Sequence, residues 1–493
     1  MTSDPGSGRT LEAPRPDVKV HFGADLVDHS TRRSRAPELL VELDRGSGEP
    51  LSRQLERTLR DAVRGGRLAP GTSLPSTRAF AAELGVSRGL VVAAYAQLGS
   101  EGYLRLRPNM PPVVARGVGL AEPARTQATD PRWRHNLRPD LPDYGAFPRG
   151  EWLKSYRAAL RSAPDSELAY GDVRGVAHLR EALVAYLGRV RGVVGDPEHT
   201  FVCSGFAQAV SLVGGVLVRA GRRRIAVEDP NHAGIRALVA WTGLEPISIP
   251  VDAEGIDVDA LVAAAPDAVL VTPAHQFPTG VVLGAERRAQ LLAWAEETDA
   301  LVIEDDFDAE YRYDRPPVGS LQGLMPERVV YCGTASKTLA PTLRLGWIVA
   351  PGAVVRPLVD QVLFTVIAPP RLEQLAFADF LLRGELDRHL RRMRLRYRRR
   401  RDVLVRELER QLPELEVRGL AAGLYVEAVL TRGIDEARVL EEARARGIAL
   451  SGMGEHCAGA AREQALLLGY AVAPEPSLRR AVALLAEAVR AAA

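Results

Sequence analysis

Five short apolar runs fall between residues 224 and 350: RIAVED, AVLVTP, ALVIEDD, RVVYCG and LGWIVA. Stretches of helical spacing lie between several of them. No other feature limits the fold as much. The runs are rich in Val, Ile and Leu and lack polar alternation. A strand with one wet face alternates, whereas a continuous apolar run is covered on both faces and needs a layer of helices on each side. The expectation is an α/β domain whose five runs are buried parallel strands. In such sheets ligands bind outside the carboxyl ends of the strands, so those ends are read for chemistry.

LVIEDDFDAEY puts carboxylates at one strand end, where a buried carboxylate calls for a cation. EDPNHAG places His232 after another, where a flat ring can stack on a flat cofactor. VCSGFAQAV at 202–210 reads as strand, Ser-Gly, helix, and the free N–H groups of a helix start favour phosphate. YCGTASKTLAPTLRLGW holds Lys337 and, further on, Arg344. Lysine is rare in this chain: of 64 basic residues three are lysines, Lys19, Lys154 and Lys337. A guanidinium stays protonated and is a poor nucleophile, while an ε-amine can lose its proton and form a Schiff base. A lysine in a small, polar loop of an arginine-rich chain suggests that an amine is required; the alternative is a chance surface lysine. An amine, a phosphate seat with a bidentate arginine, an Asp for a ring nitrogen and a stacking ring together suit pyridoxal 5′-phosphate.

The first part of the chain has a different character. Residues 30–116 hold 14 Arg against 8 Asp and Glu, although the whole chain is only +2. A small basic module on a nearly neutral body suggests a polyanion partner. Leu51, Leu55, Leu59 and Val63 mark one helix. Ser76 reads as the N-cap of a second that ends at Gly85. Ser87 caps a third, with Leu90, Ala94, Tyr95 and Leu98 as its buried stripe. YLRLR and PPVVA read as two short strands. Helices joined by a tight turn, then a hairpin, make a winged helix-turn-helix. Ser87, Arg88 and Gly89 would meet phosphates and base edges, Ser76, Thr77 and Arg78 would open the preceding helix beside the backbone, and Arg105 and Arg107 would lie in the wing. HLRRMRLRYRRRRDVL at 389–404 keeps helical spacing through Leu390, Met393 and Tyr397, and reads as a helix with one buried face and solvated arginines rather than a second nucleic-acid site. Residues 1–37 read as a mobile tail and 116–134 as a linker. That leaves 38–115 for the module and 135–493 for the body.

At 493 residues the chain is long enough for about three domains. Its N-terminus lacks the apolar stretch of a secretory signal, and no apolar run is long enough to cross a bilayer. Cys203, Cys332 and Cys457 are odd in number and far apart, which points to no disulfide framework, no metal cluster and a cytoplasmic setting.

The motifs PLSRQL, LAPGTSLPSTR, LGVSRGLV, AYAQLGSEGYL, LPDYGAFP, YGDVRG, TPAHQFPTG, IEDDFDAEYRY and SKTLAPTLRLGW together resemble the MocR/GabR subfamily of GntR-type bacterial transcription regulators, over roughly residues 38–490. These join a winged helix-turn-helix to a domain like fold-type I aminotransferases. The resemblance implies that Lys337 holds pyridoxal 5′-phosphate covalently and that Asp305 pairs with the pyridinium nitrogen. It places His232 over the ring, and gives the phosphate to the N–H groups of Gly205, Phe206 and Ala207 with Thr334, Ser336 and Arg344. Tyr170 resembles a tyrosine that reaches the phosphate from a partner subunit, implying a head-to-tail homodimer. His275 and Gln276 would lie near the cofactor hydroxyl, with no role assigned. The implied partners are double-stranded operator DNA and an effector that is an amine or the cofactor itself.

Three positions depart from the family pattern. Phe307 stands where relatives commonly carry Tyr, Leu467 where aminotransferases place an arginine for the substrate carboxylate, and RPNMPPVVA where the wing usually has a Gly-Ser-Gly-Thr turn. The expected function is therefore a regulator that senses the cofactor or an amine, not an enzyme. An aminotransferase with a vestigial DNA module and a cofactor-free scaffold are the alternatives.

Overall fold

The computed structural model describes residues 41, 43–108, 110–115, 133–314, 318–365, 370–419, 421–431, 433–459 and 463–492. The tail assigned to 1–37 lies outside them, as does the linker of 116–134 up to residue 132. The chain divides into two compact units, Met1–Thr129 and Asp130–Ala493.

The first unit contains the helices Leu51–Arg64, Thr77–Leu84 and Arg88–Ser100, then the two-residue strands Leu104–Arg105 and Val113–Val114, paired antiparallel. Its helix ends follow the local chemistry. The Ser76 and Ser87 hydroxyls accept from the N–H groups of Ala79 and Leu90, each satisfying a donor that the helix start leaves free. Gly85 closes the second helix at φ +63°, a left-handed conformation that glycine adopts without steric cost. The unit's core gathers Leu55, Leu59, Phe80, Val91, Tyr95 and Leu98, with Leu104 and Val114 of the hairpin. Val91 belongs to the buried stripe of the third helix, and Leu90 is only half-buried.

The second unit is built on an eight-stranded sheet. Its order is Thr200–Cys203, Gly346–Val349, Val329–Thr334, Leu301–Asp306, Ala268–Val271, Arg224–Asp229, Glu245–Asp252 and Gly255–Ile256. The central pairings are parallel, as the apolar runs predict. LGWIVA corrects that expectation: Gly346–Val349 is antiparallel to both its neighbours. Both faces of the sheet are covered. Ile225 and Val227 join one apolar cluster with the helices Phe206–Arg219 and Ile235–Trp241, while Ala226 joins another with Val258–Ala264 and Ala285–Thr298. A smaller antiparallel sheet, ordered Glu416–Arg418, Tyr425–Val429, Ala465–Gly469 and Ser451–Gly452, lies in the same unit.

The basic run of 389–404 falls within the helix Glu385–Gln411. Leu390, Met393 and Tyr397 are buried as expected, but its arginines are not all solvated. Arg400 is buried, with Nη2 3.0 Å from Asp143 Oδ2 and Nη1 bonded to the Ala471 carbonyl. Arg394 donates to the Glu310 carbonyl. Several of these guanidiniums hold the body together. Among the described residues no helix is long and apolar enough to cross a membrane.

Candidate functional site

A cavity of about 540 Å³ opens at the carboxyl ends of the strands in the second unit. Of the expected site residues, Phe206, Ala207, His232, Asp305, Thr334, Ser336, Lys337 and Arg344 line it. They come from the ends of three strands, the start of one helix and the loop after Thr334. Gly205 stands just behind, where a Cβ would lie 3.7 Å from Arg344 Nη2 and 3.8 Å from Thr334 Oγ1. Tyr170 is elsewhere and 94% exposed, so it is no part of its own chain's cavity.

One end of the cavity is an anion seat. The helix Phe206–Arg219 begins there with no side-chain cap, and the N–H groups of Phe206 and Ala207 have no acceptor among the described residues. Gly205 sits at φ +91°, closed to ordinary side chains, and Gly346 is glycine because a Cβ would come within 2.7 Å of the Gly205 Cα. These two glycines let the turn lie flat on the neighbouring strand. Arg344 holds a left-handed φ of +48°, a conformation that costs a non-glycine residue on the order of 1 kcal/mol. Its Nη2 donates to the Ser204 carbonyl, and no carboxylate pairs with it among the described residues. Thr334 Oγ1 donates to Ser336 Oγ at 2.9 Å and accepts from the Ser336 N–H at 3.1 Å. A guanidinium, two hydroxyls and a free helix start together suit a phosphate.

The other chemistry lies between Asp305 and Lys337. Alternation along Leu301–Asp306 turns Asp305 to the cavity and Glu304 and Asp306 to the opposite face. Asp305 Oδ1 is buried and has no hydrogen-bond partner among the described residues. Burial, reinforced by Asp306, Asp308 and Glu228 and opposed by Lys337, pushes the Asp305 carboxyl well above the usual carboxylate range. Lys337 Nζ donates to the Asp140 carbonyl and lies 4.0 Å from Asp140 Oδ2. The His232 ring opens onto the cavity 5.8 Å from Phe277 and 6.3 Å from His456, centroid to centroid. The surrounding protein lowers its pKa, which favours the neutral ring, even though nearby Asp140 acts in the opposite sense.

His275 and Gln276 do not line the cavity. His275 is buried against Asp308, with Nδ1 3.1 Å from Oδ2, and Gln276 Nε2 is taken by the carbonyls of Pro230 and Phe277. Asn231 and Asp140 are among the lining residues that the sequence does not single out. Asn231, buried with a Nδ2 that has no acceptor among the described residues, sits beside His232 in EDPNHAG. Asp140 is 197 residues from Lys337 along the chain, and nothing local to it marks the contact.

In the first unit, Ser76 and Ser87 are committed to their caps. Thr77 is the first residue of its helix and is half-buried; Arg88 and Gly89 open the next helix, exposed. Arg78, Arg88, Arg105 and Arg107 are all exposed and make no side-chain hydrogen bond or ion pair among the described residues. By contrast, Arg60 is fixed on Glu101 by bonds of 2.9 and 2.8 Å.

Residues 51–114 match the family of bacterial regulatory proteins, gntR family, and residues 146–453 match aminotransferase class I and II. The chain is 32% identical over 459 residues to the HTH-type pyridoxine biosynthesis transcriptional regulator PdxR of Corynebacterium glutamicum, covering 92% of this chain and 99% of that one. It is 33% identical over 466 residues to the probable rhizopine catabolism regulatory protein MocR of Rhizobium meliloti, covering 90% and 94%. The chain belongs to the MocR-type transcriptional regulators. A MocR-type body is aminotransferase-like, and this one matches the crystal structure of Pyrococcus horikoshii kynurenine aminotransferase with a TM-score of 0.66 and 27% identity, over 72% of this chain and 90% of that one.

The MocR frame gives the three departures a structural setting. Phe307 lines the cavity and offers no hydroxyl. Leu467 is fully buried with Phe277, Tyr425 and Met453, and it does not reach the cavity. In the wing, Leu106 and Met110 are exposed apolar residues.

Proposed function

We propose that this MocR-type regulator binds operator DNA through its first unit and pyridoxal 5′-phosphate through the cavity of its second, and that occupancy of the cavity alters DNA binding. The observation that carries the cofactor reading is Asp305: a buried carboxylate oxygen without a partner among the described residues, in the wall of a cavity that also holds a lysine amine and an anion seat. A pyridinium N–H answers that oxygen. Lys337 is placed to hold the cofactor, His232 to cover its ring, and Gly205, Phe206, Ala207, Thr334, Ser336 and Arg344 to hold its phosphate. When bound, pyridoxal 5′-phosphate supplies an aldehyde carbon open to attack by a primary amine and a ring that draws electrons from it.

Sensing is favoured over catalysis because, among the described lining residues, Arg344 at the anion seat has no companion arginine to orient an amino acid's carboxylate, and loss of such orientation removes a large share of the rate. Arg78, Arg88, Arg105 and Arg107 contact the DNA in this reading. The active species is a head-to-tail homodimer in the cytoplasm. Tyr170, exposed near Leu168 with the Glu167–Arg371 ion pair beside it, suits a second copy, and three free cysteines suit a reducing compartment.

Nuclease protection of promoter DNA by the purified protein, with and without pyridoxal 5′-phosphate, tests the reading. A protected site that changes with the cofactor supports it. Steady keto-acid production from amino acids at ordinary enzyme rates, about 1–10³ s⁻¹, would instead favour an aminotransferase.

A further inference from the structure

We infer that the open end of the cavity, away from the anion seat, selects a small cationic amine that carries no carboxylate. This rests on the cofactor reading above and adds the chemistry of the second ligand. Asp140 is the first ground. Its carboxylate lies 4.0 Å from Lys337 Nζ, is 38% exposed and, among the described residues, pairs with no other cation. Were Lys337 to hold the cofactor, its ammonium would become an imine nitrogen, and Asp140 would lose a full cationic partner. An incoming ammonium group restores the balance, whereas an incoming carboxylate meets like charge. Glu455 adds to the same sign. It stands 3.3 Å from His456 Nε2, and the His456 ring is 6.3 Å from that of His232.

The cations of the cavity complete the case. Among the described lining residues they are Lys337 and Arg344. Arg344 is fixed on the Ser204 carbonyl at the anion seat, so it answers phosphate. Leu467 is buried in an apolar cluster and gives a carboxylate nothing to pair with. The wall also holds Asn231 Nδ2, buried and unpartnered among the described residues and not used by the cofactor reading. The ligand that fits is a short amine with a second cationic group for Asp140, of the diamine class.

Three probes of equal chain length separate the cases: 1,4-diaminobutane, 1-aminobutane and 4-aminobutanoate. Each is titrated by calorimetry into the full-length protein loaded with pyridoxal 5′-phosphate. The diamine should bind about tenfold more tightly than 4-aminobutanoate, the lower end of what a hydrogen bond to a charged group contributes, because Asp140 is partly exposed. Asp140→Asn should bring the diamine to within about threefold of 1-aminobutane, each measured on the variant. The Asp140 carbonyl remains in the variant, so the cofactor-free Lys337 keeps its hydrogen bond, and loading is verified separately by the visible absorption band. Equal or tighter binding of 4-aminobutanoate, or a diamine preference that survives Asp140→Asn, overturns the inference and leaves the cofactor reading standing. Absence of the visible band in the wild-type protein overturns both.

Discussion

Asp306 and Asp305 leave the strand Leu301–Asp306 on opposite faces, and the two faces treat a carboxylate differently. Behind the sheet, Asp306 accepts from Arg191 Nε at 2.6 Å and from the Tyr331 hydroxyl at 2.5 Å, and both members of the ion pair are almost completely buried. Toward the cavity, its neighbour Asp305 has an oxygen with no donor among the described residues. The first carboxylate is settled within the chain. The second has an oxygen without a donor among the described residues, and a buried polar group of that kind marks a candidate ligand site. The first unit repeats the contrast on its surface: Arg60 is settled on Glu101, and Arg88 is open. Open charges point to ligands and settled ones to architecture.

Removing the one amine between the two regimes should have the largest effect. Lys337→Ala should abolish the visible absorption band with pyridoxal 5′-phosphate and any adduct fixed by borohydride. An adduct of the same yield in the variant would mean that the cavity lysine is not the attachment point, and the cavity would lose its claim to be the open region. Next in size is the settled pair. Arg191→Met strands Asp306 in the interior, and removing one partner of a buried pair typically costs about 3–5 kcal/mol. Urea unfolding should show that loss, with cofactor uptake retained in whatever fraction stays folded. A loss under about 1 kcal/mol, the range of an exposed pair, would erase the distinction between the two faces.

The legibility of these features follows the same division. Lys337 stands out in the sequence because the chain spends arginine nearly everywhere else, and the caps at Ser76 and Ser87 are written locally in serine and glycine. The choice of Asp305 over Asp306 came from a resemblance, and strand alternation supplies its physical reason. The direction of LGWIVA was not legible: a strand covered on both faces is apolar whichever way it runs. The contacts of Arg394 and Arg400 are hidden in the sequence because a charge run does not tell which side chains meet a carbonyl or Asp143. Asp140 was not readable as a neighbour of Lys337, since only the closed chain brings together residues 197 positions apart.

On the DNA side, the comparison is sharpened by a matched pair of variants. Arg88→Ala should weaken operator binding by about 1–3 kcal/mol and change preference at one base position if the side chain reads a base. If it meets phosphate alone, all sequences should weaken alike and the salt dependence should flatten. Arg60→Ala should leave operator affinity within about 0.5 kcal/mol, the usual range for a surface change away from a functional contact. Gel-shift titrations over a range of salt would check both. Equal losses for the two variants would show that settled and open arginines are not functionally distinct.

The smallest effect is also the most direct probe of an open charge. Burial first, then Asp306, Asp308 and Glu228, raise the Asp305 carboxyl well above its ordinary value, against the pull of Lys337. In the unfolded chain an aspartate titrates near about 3.9. Between that pH and the folded value the native state keeps a proton that the unfolded state has released, so stability falls as pH rises through the window. An asparagine side chain at this position has no such proton. In the cofactor-free protein, Asp305→Asn should therefore be more stable than wild type at pH 7, by on the order of 1 kcal/mol, the lower end of the cost of an unsatisfied buried group. The advantage should shrink as pH falls toward about 4, where wild-type Asp305 is protonated in both states. Glu304, raised to about 7 by burial and Asp306, titrates in both proteins and cancels in the difference. With pyridoxal 5′-phosphate bound the sign should reverse, because the ring nitrogen then answers the carboxylate, and its loss should weaken the cofactor by about 1.5–3 kcal/mol. Urea midpoints for both proteins across a pH range of about 4–8, with and without the cofactor, measure all of this. Parallel curves in every condition would mean that the carboxylate facing the cavity is as settled as the one behind it.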